Sequence, residues 1–446
     1  MRVADEVPAE ASSGVRRALV STFRGIMRLY FRRIERLGQA PGPDTRGRVF
    51  VSNHYNALID PILVITDAAC EISPIAKSTL WAIPGLKWLL DRAGAVPIVR
   101  RKDAPDKDAA ANAAAFERIA AHLSRGGNIL IFPEGTSHSE PHLAPLRTGA
   151  ARMLAAGEAA GGATTFQAVG LEFDARDDFR SRCLVLWGPI RTFADIAGDG
   201  EERVRAATAL MDADLRELLV EGETHDERRL IARVAEMLAN DAGDGSLSGW
   251  NTIGRQVELA SRTLRGVDTS IVAQVGGRVA AYYAELERLG IPDARVAAQT
   301  GGAPEAVTGA LAPGPSAGAW VRKVLLAPLA ASGFVLYAVP YFIPRLVARK
   351  TDADAVSTVK LGVALVVYPV WAMGLVGAAF LLPPPFSVLA AAVAIASPFA
   401  ALRWLDAWWQ RAPRAPTSDE LATLARLRIA TRTAIDDARA RLADAS

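Results

Sequence analysis

The spacing of apolar residues along this chain changes several times, and each change marks a different kind of segment. Over residues 15–37, Leu19, Phe23, Ile26, Tyr30, Ile34 and Leu37 recur at intervals of three and four, which predicts one helix with a single apolar face. Arg17, Arg24, Arg28, Arg32 and Arg36 fall largely on the other side. This pattern fits a helix lying in a membrane interface with its cations toward anionic head groups, and equally a core-packing helix with a solvated face. Between residues 47 and 190 short apolar runs alternate with helical stretches. Strands are expected at 48–52, 95–99, 127–132, 166–173 and 182–186, and helices at 60–69, 108–124 and 147–160. Asp60 and Pro61 suit the N-cap and first position of the first of these helices. The alternation predicts an α/β layered domain with helices around a mixed sheet.

Residues 195–299 read as polar helices rich in Glu and Arg, without a catalytic cluster, and the Gly/Pro/Ala-rich stretch 300–318 reads as a linker. Three charge-free runs follow at 324–343, 361–382 and 386–402. The first two are long enough to span a bilayer and the third is shorter, so either three spans or two spans and a re-entrant piece are expected. Trp404, Trp408 and Trp409 stand where an interfacial aromatic belt would lie. The tail, 417–446, reads as a charged amphipathic helix. The resulting plan is an interfacial helix (15–38), the α/β domain (39–194), a helical region (195–299), a linker (300–318), membrane-embedded helices (319–411) and a C-terminal helix (412–446).

Composition narrows this picture only slightly. Half of the 446 residues are hydrophobic and 22% are charged, which excludes wholesale disorder. The net charge of +3 is modest, and nothing in the chain points to a nucleic-acid partner. Cys70 and Cys183 make neither a disulfide framework nor a zinc set, and no metal site is expected. Asp5, Glu6 and Glu10, with no apolar run around them, argue against a secretory signal.

Three clusters carry chemistry. In Val51-Ser-Asn-His-Tyr-Asn-Ala-Leu-Ile-Asp60-Pro61, a histidine at a strand end is followed by an aspartate opening a helix. His54 and Asp60 form a base–orienter pair only if His54 lies in the loop, because on one helix they would diverge by roughly 120°. The run Gly94-Ala-Val-Pro-Ile-Val-Arg100-Arg101-Lys102 delivers three cations from a strand end, suited to a phosphate. In Phe132-Pro-Glu-Gly-Thr136, an apolar strand stops at proline and exposes Glu134, Gly135 and Thr136; Arg147 follows before a helix start that favours an anion. Each run taken alone is also an ordinary loop, N-cap or turn.

In this order and spacing the motifs resemble the glycerophosphate and lysophospholipid acyltransferase superfamily, of PlsC-like fold. The resemblance rests on Asn53, His54 and Asp60; on Gly94, Ile98 and Arg100; on the unchanged Phe-Pro-Glu-Gly-Thr at 132–136; and on Arg147 with Gly149. It covers residues 48–190, roughly a third of the chain. Two features depart from the pattern. The fourth block, Gln167-Ala-Val-Gly170, lacks its proline, and five residues instead of four separate His54 from Asp60. The longer spacing resembles the branch that includes fungal-type glycerol-3-phosphate and dihydroxyacetone-phosphate acyltransferases.

The resemblance implies that His54 deprotonates an acceptor hydroxyl, which attacks the thioester of acyl-CoA or acyl-carrier protein, while Asp60 orients His54. It implies an acceptor site formed by Asn53, Arg100, Arg101, Glu134, Gly135, Thr136 and Arg147, with no metal or cofactor. The acceptor is expected to be glycerol-3-phosphate or its glycerone relative, with lysophosphatidate as the alternative. A bilayer is the expected partner, and an acyl-CoA donor places the site on the cytoplasmic side. A non-catalytic lipid-binding membrane protein and a soluble enzyme with an apolar core are the readings of other classes.

Overall fold

The computed structural model describes residues 13–83, 85–99, 108–298, 300, 317–351, 356–409 and 416–445. The chain divides into two compact units at Leu219/Val220.

In the first unit the opening helix α1 (Ser13–Tyr30) stops seven residues short of its expected end, and Arg33–Leu37 forms a strand, β1. Helical spacing through Ile34 and Leu37 concealed this strand. Long-range hydrogen bonds produce the break. Arg180, at φ 68°, donates its backbone N–H to Tyr30 O at 2.8 Å and its guanidinium to the carbonyls of Arg28 and Leu29 at 3.2 and 3.0 Å. It thereby caps carbonyls that the helix leaves open. Arg32 N–H then donates to Ser181 O, and β1 pairs in parallel with β7 (Arg182–Thr192).

The same helix packs against its own domain. Met27, Tyr30 and Phe31 are buried, Arg16 donates to Ile72 O at 2.6 Å, and Arg24 donates to Thr66 O at 2.8 Å. Arg36, expected on the cationic face, lies in β1 and grips Asp67 through two bonds of 2.9 and 2.6 Å.

The sheet has seven strands in the order β1-β7-β6-β2-β5-β3-β4. The remaining strands are β2 (Gly47–Ser52), β3 (Ser73–Lys77), β4 (Val96–Ile98), β5 (Asn128–Ile131) and β6 (Thr164–Phe173). Among the described residues only β6 and β7 pair antiparallel, with a register shift between Gln167 and Val169, so the block that lacks the family proline lies in a bulged strand flanked on both sides. Strands β2, β5, β3 and β4 run parallel, so their carboxyl ends emerge along one edge. In open α/β sheets that edge is where ligands bind.

Helices α2 (Ile59–Asp67), α3 (Leu86–Ala93), α4 (Asp108–Ser124), α5 (Gly149–Ala159) and α6 (Gly200–Leu218) complete this unit. Val204, Ala207, Met211 and Leu215 of α6 join Val49, Val51, Ile129, Leu154 and Phe166 in one core. Helix α6 therefore belongs to the sheet domain, and the expected boundary at residue 194 moves to Leu219. Asp60 is also displaced from expectation: the N-cap of α2 is Leu58, and Asp60 sits in the first turn. Both cysteines are free, with Cys183 buried and Cys70 partly so.

The second unit contains α7 (His225–Asp241), α8 (Leu247–Val267), α9 (Thr269–Leu289) and the short α10 (Asp293–Ala297). Three apolar helices follow: α11 (Ala317–Ala348), α12 (Val356–Ala379) and α13 (Phe386–Trp409). Among the described residues these three are long and apolar enough to cross a membrane, which favours three spans over two and a re-entrant piece. The last helix, α14 (Ser418–Ala445), packs Leu424 and Ile435 against Val234, Tyr282 and Leu286. Most of the expected linker lies outside the described residues.

Candidate active site

The loop that leaves β2 is held from several sides. Asn53 is fully buried, and its side-chain amide binds the backbone of Leu171 on β6 in both directions, donating to the carbonyl at 3.0 Å and accepting the N–H at 2.8 Å. Expected at the acceptor site, Asn53 instead ties the end of β2 to its neighbouring strand. His54 follows it in the loop. Its Nδ1 lies 3.0 Å from Asp60 Oδ2, and the six-residue separation is spanned because the loop turns between them. Asp60 closes that turn itself, accepting Asn56 N–H on the same oxygen at 2.6 Å and donating its own N–H to Asn56 O at 3.1 Å. The extra residue between His54 and Asp60 is absorbed in the turn before α2.

Asp60 is wholly buried, whereas the His54 side chain retains 14% of its exposure. Burial pushes the Asp60 carboxyl above its ordinary pKa, and the hydrogen bond and charge of His54 pull it back in part. With Nδ1 held by Asp60, the tautomer that leaves Nε2 as acceptor is the one the carboxylate favours. Phe132 stacks on the imidazole, with ring centroids 4.0 Å apart and planes at 19°, which fixes the ring plane.

Glu134 comes to the same sheet edge from the end of β5 but points inward. Its Oε1 accepts His54 N–H at 2.8 Å, while Oε2 accepts Ala144 N–H at 2.9 Å and meets His138 Nε2. Its carboxylate is buried and thus supports the His54 loop, in contrast to the acceptor contact expected of it. Gly135 has φ +78°, and a Cβ there would lie 2.9 Å from Arg147 Nε, so glycine both allows the turn and makes room for the guanidinium. Arg147 is exposed, and its N–H donates to Pro133 O at 2.9 Å just before α5 begins. Thr136 is partly exposed and its hydroxyl bonds Ser137 O at 3.4 Å.

Arg100 and Arg101 lie outside the described residues. The strand end that leads to them is fixed: Asn112 on α4 binds Val99 through both backbone groups, at 2.9 and 2.7 Å. Sequence reasoning missed Asn112, and it missed His138. The available signal for His138 was its position four residues after Glu134, in a chain with five histidines.

The Acyltransferase family model matches residues 33–167. Over 117 residues the chain is 29% identical to a chloroplastic 1-acyl-sn-glycerol-3-phosphate acyltransferase of Arabidopsis thaliana, covering 26% of this chain and 30% of that protein. A chloroplastic counterpart from Brassica napus is 28% identical over the same length, which is 26% of this chain and 31% of the relative. Glycerol-3-phosphate O-acyltransferase 2 of Saccharomyces cerevisiae is 39% identical over 80 residues, 17% of this chain and 11% of the relative. The chain thus spans less than a third of the length of the curated relatives it matches. Among solved structures, the 1-acyl-sn-glycerophosphate acyltransferase PlsC of Thermotoga maritima aligns at a TM-score of 0.33 and 16% identity, over 44% of this chain and 79% of that one. On its motifs and on the family and sequence matches, the chain carries an acyltransferase domain of the glycerophosphate and lysophospholipid acyltransferase superfamily.

Proposed function

We propose that this protein is a membrane-bound O-acyltransferase that moves a fatty acyl chain from acyl-CoA or acyl-carrier protein to a hydroxyl of glycerol-3-phosphate or glycerone phosphate. The observation that carries the proposal is the 3.0 Å contact between His54 Nδ1 and a wholly buried Asp60. His54 Nε2 takes the acceptor hydroxyl proton as the oxygen attacks the thioester carbonyl. Asp60 stabilises the imidazolium, which then returns the proton to the departing thiolate. Exposed Arg147, beside Gly135 and the start of α5, holds the acceptor phosphate together with Arg100 and Arg101, and Thr136 lines the same site.

The likeness to the yeast glycerol-3-phosphate acyltransferase and the longer His54–Asp60 spacing favour a glycerophosphate acceptor without an acyl chain. The two plant relatives favour lysophosphatidate, the second reading. The three apolar helices support a bilayer location, and an acyl-CoA donor requires the domain to face the cytoplasm.

Purified protein in detergent, given acyl-CoA and each acceptor in turn, separates these readings. Glycerol-3-phosphate or glycerone phosphate should be acylated faster than lysophosphatidate, and absence of turnover with all three refutes the activity. His54→Ala should lower kcat by about 10²–10⁴-fold in a protein that melts like wild type. Activity retained in that variant overturns the base assignment.

A further inference from the structure

Given that acyl-transfer reading, we propose that His138 is a positioning residue that locks the backbone on both sides of His54 and so fixes the catalytic ring. The geometry is a closed loop of hydrogen bonds. His138 N–H donates to His54 O at 3.1 Å. The His138 ring, through Nε2, bonds Glu134 Oε2, and the other oxygen of that carboxylate accepts His54 N–H at 2.8 Å. The His138 backbone therefore holds the carbonyl of His54 while its side chain holds the amide through Glu134, so removing the side chain opens the loop on the Glu134 side. In its neutral form the ring is further held by Glu140 N–H, which donates to Nδ1 at 3.2 Å, and the ring meets Tyr55 edge-on. The backbone of His138 is held in turn by Arg176, which reaches its carbonyl at 3.5 Å and Ser139 Oγ at 3.1 Å.

Both ring nitrogens are engaged within the protein, so His138 contacts neither acceptor nor thioester and acts through His54 alone. A displacement of about 1 Å at a reacting group is enough to lower a rate on the order of 10²-fold. Loss of the loop should therefore appear in kcat and leave acceptor binding nearly untouched.

The test compares wild type, His138→Ala and His138→Gln as full-length protein in detergent. For His138→Ala we expect kcat to fall by about 10–100-fold while KM for the acceptor stays within about threefold. Glutamine carries an N–H donor near the position of Nε2, so His138→Gln should recover kcat to within about fivefold of wild type. Hydrogen–deuterium exchange over residues 53–58 gives a second readout that needs no turnover. Exchange there should quicken at least about tenfold in His138→Ala and return toward wild type in His138→Gln. Unchanged exchange and unchanged kcat in His138→Ala overturn the proposal, as does an alanine variant whose loss lies wholly in KM. Wild-type protein without turnover refutes the acyl-transfer reading alone, and exchange still decides whether His138 locks the loop.

Discussion

Complete burial of the Asp60 carboxyl disfavours its charged form, and the hydrogen bond and charge of His54 offset only part of that penalty. A raised carboxylate pKa means that the ionised group works against folding at neutral pH. Asp60→Asn removes the buried charge and keeps an acceptor for Asn56 N–H, so the variant should melt at or above the wild-type temperature. It should also lose on the order of 10³–10⁴-fold in kcat, because a neutral amide no longer stabilises the imidazolium that forms when His54 Nε2 takes a proton. Thermal unfolding and kinetics on one preparation check both halves, and a folded, fully active Asp60→Asn variant rules out the dyad. His138 shifts in the direction opposite to a buried neutral histidine. The Glu134 hydrogen bond raises its pKa, burial opposes, Glu140 adds to the rise and Arg176 subtracts. Protonation gives up the Glu140 N–H bond to Nδ1 in exchange for charge pairing with Glu134; the resulting stabilisation is fully present below the unfolded value of 6.5 and disappears as pH rises through the higher folded value. Wild-type melting temperature should accordingly drop across a window that begins above 6.5, and His138→Gln should flatten that window. Local sequence revealed the dyad and the turn beside it, since His54, Asp60 and Gly135 sit in recognisable runs. It did not reveal that Asn53 would bond Leu171 across 118 positions, or that Glu134 would turn inward to His54 across 80, because those contacts exist only once β6 and β5 flank β2.

Among the elements, a dense buried coupling joins α14 to α7 and α10. Asp293, at the start of α10, is fully buried and accepts from Tyr282 Oη at 2.6 Å, Asn240 Nδ2 at 2.8 Å and Arg428 Nε at 2.9 Å. Arg428 also bonds Asp241 at 2.6 Å, and although burial pulls its pKa down, these two carboxylates more than restore it. Removing the guanidinium leaves the buried Asp293 carboxyl without its cation, with only the Tyr282 and Asn240 hydrogen bonds. Arg428→Ala should thus cost about 3–5 kcal/mol, with Asp293→Asn added to it recovering part of the loss. Denaturant unfolding followed through a probe in the second unit measures this, and additive losses in the double variant contradict a direct pair. Sequence periodicity found the strands that are uniformly apolar and ended by a turn signal, such as β2 and β5. It missed β3, where Ser73, Pro74 and Lys77 dilute the apolar pattern, and it merged β1 into α1 because Ile34 and Leu37 satisfy a helical spacing as well as a strand. Nor does periodicity tell which domain a helix joins. The apolar stripe of α6 reads the same whether it packs on a sheet or on other helices.

At the scale of the whole molecule, the three apolar helices impose a solvent. Their outer surfaces carry Val335, Met373 and Val388 at 77%, 66% and 67% exposure, and each large apolar side chain left in water forfeits about 1.5–3 kcal/mol. In a bilayer that loss disappears, and with it the hydrophobic force between the helices, so their association must rest on close packing and hydrogen bonds. The contacts between them have that character. A Cβ on Gly333 of α11 would fall 2.2 Å from Ser397 O of α13, which places the two backbones in direct apposition. Close by, Tyr337 Oη donates to Ala394 O at 2.9 Å, and Trp371 Nε1 of α12 donates to Leu336 O at 2.8 Å. Five prolines interrupt these helices, at 328, 340, 344, 369 and 398, as is tolerated where neighbouring helices satisfy the freed backbone groups. Gly333→Leu should wedge α11 from α13. The variant should remain in the membrane fraction after an alkaline carbonate wash, since its apolar length is unchanged, yet unfold several degrees below wild type in detergent. Recovery of wild type in the aqueous fraction without detergent overturns the membrane reading. A Gly333→Leu protein as stable as wild type contradicts the close approach of α11 and α13 while leaving the membrane reading intact, so the two outcomes are read independently.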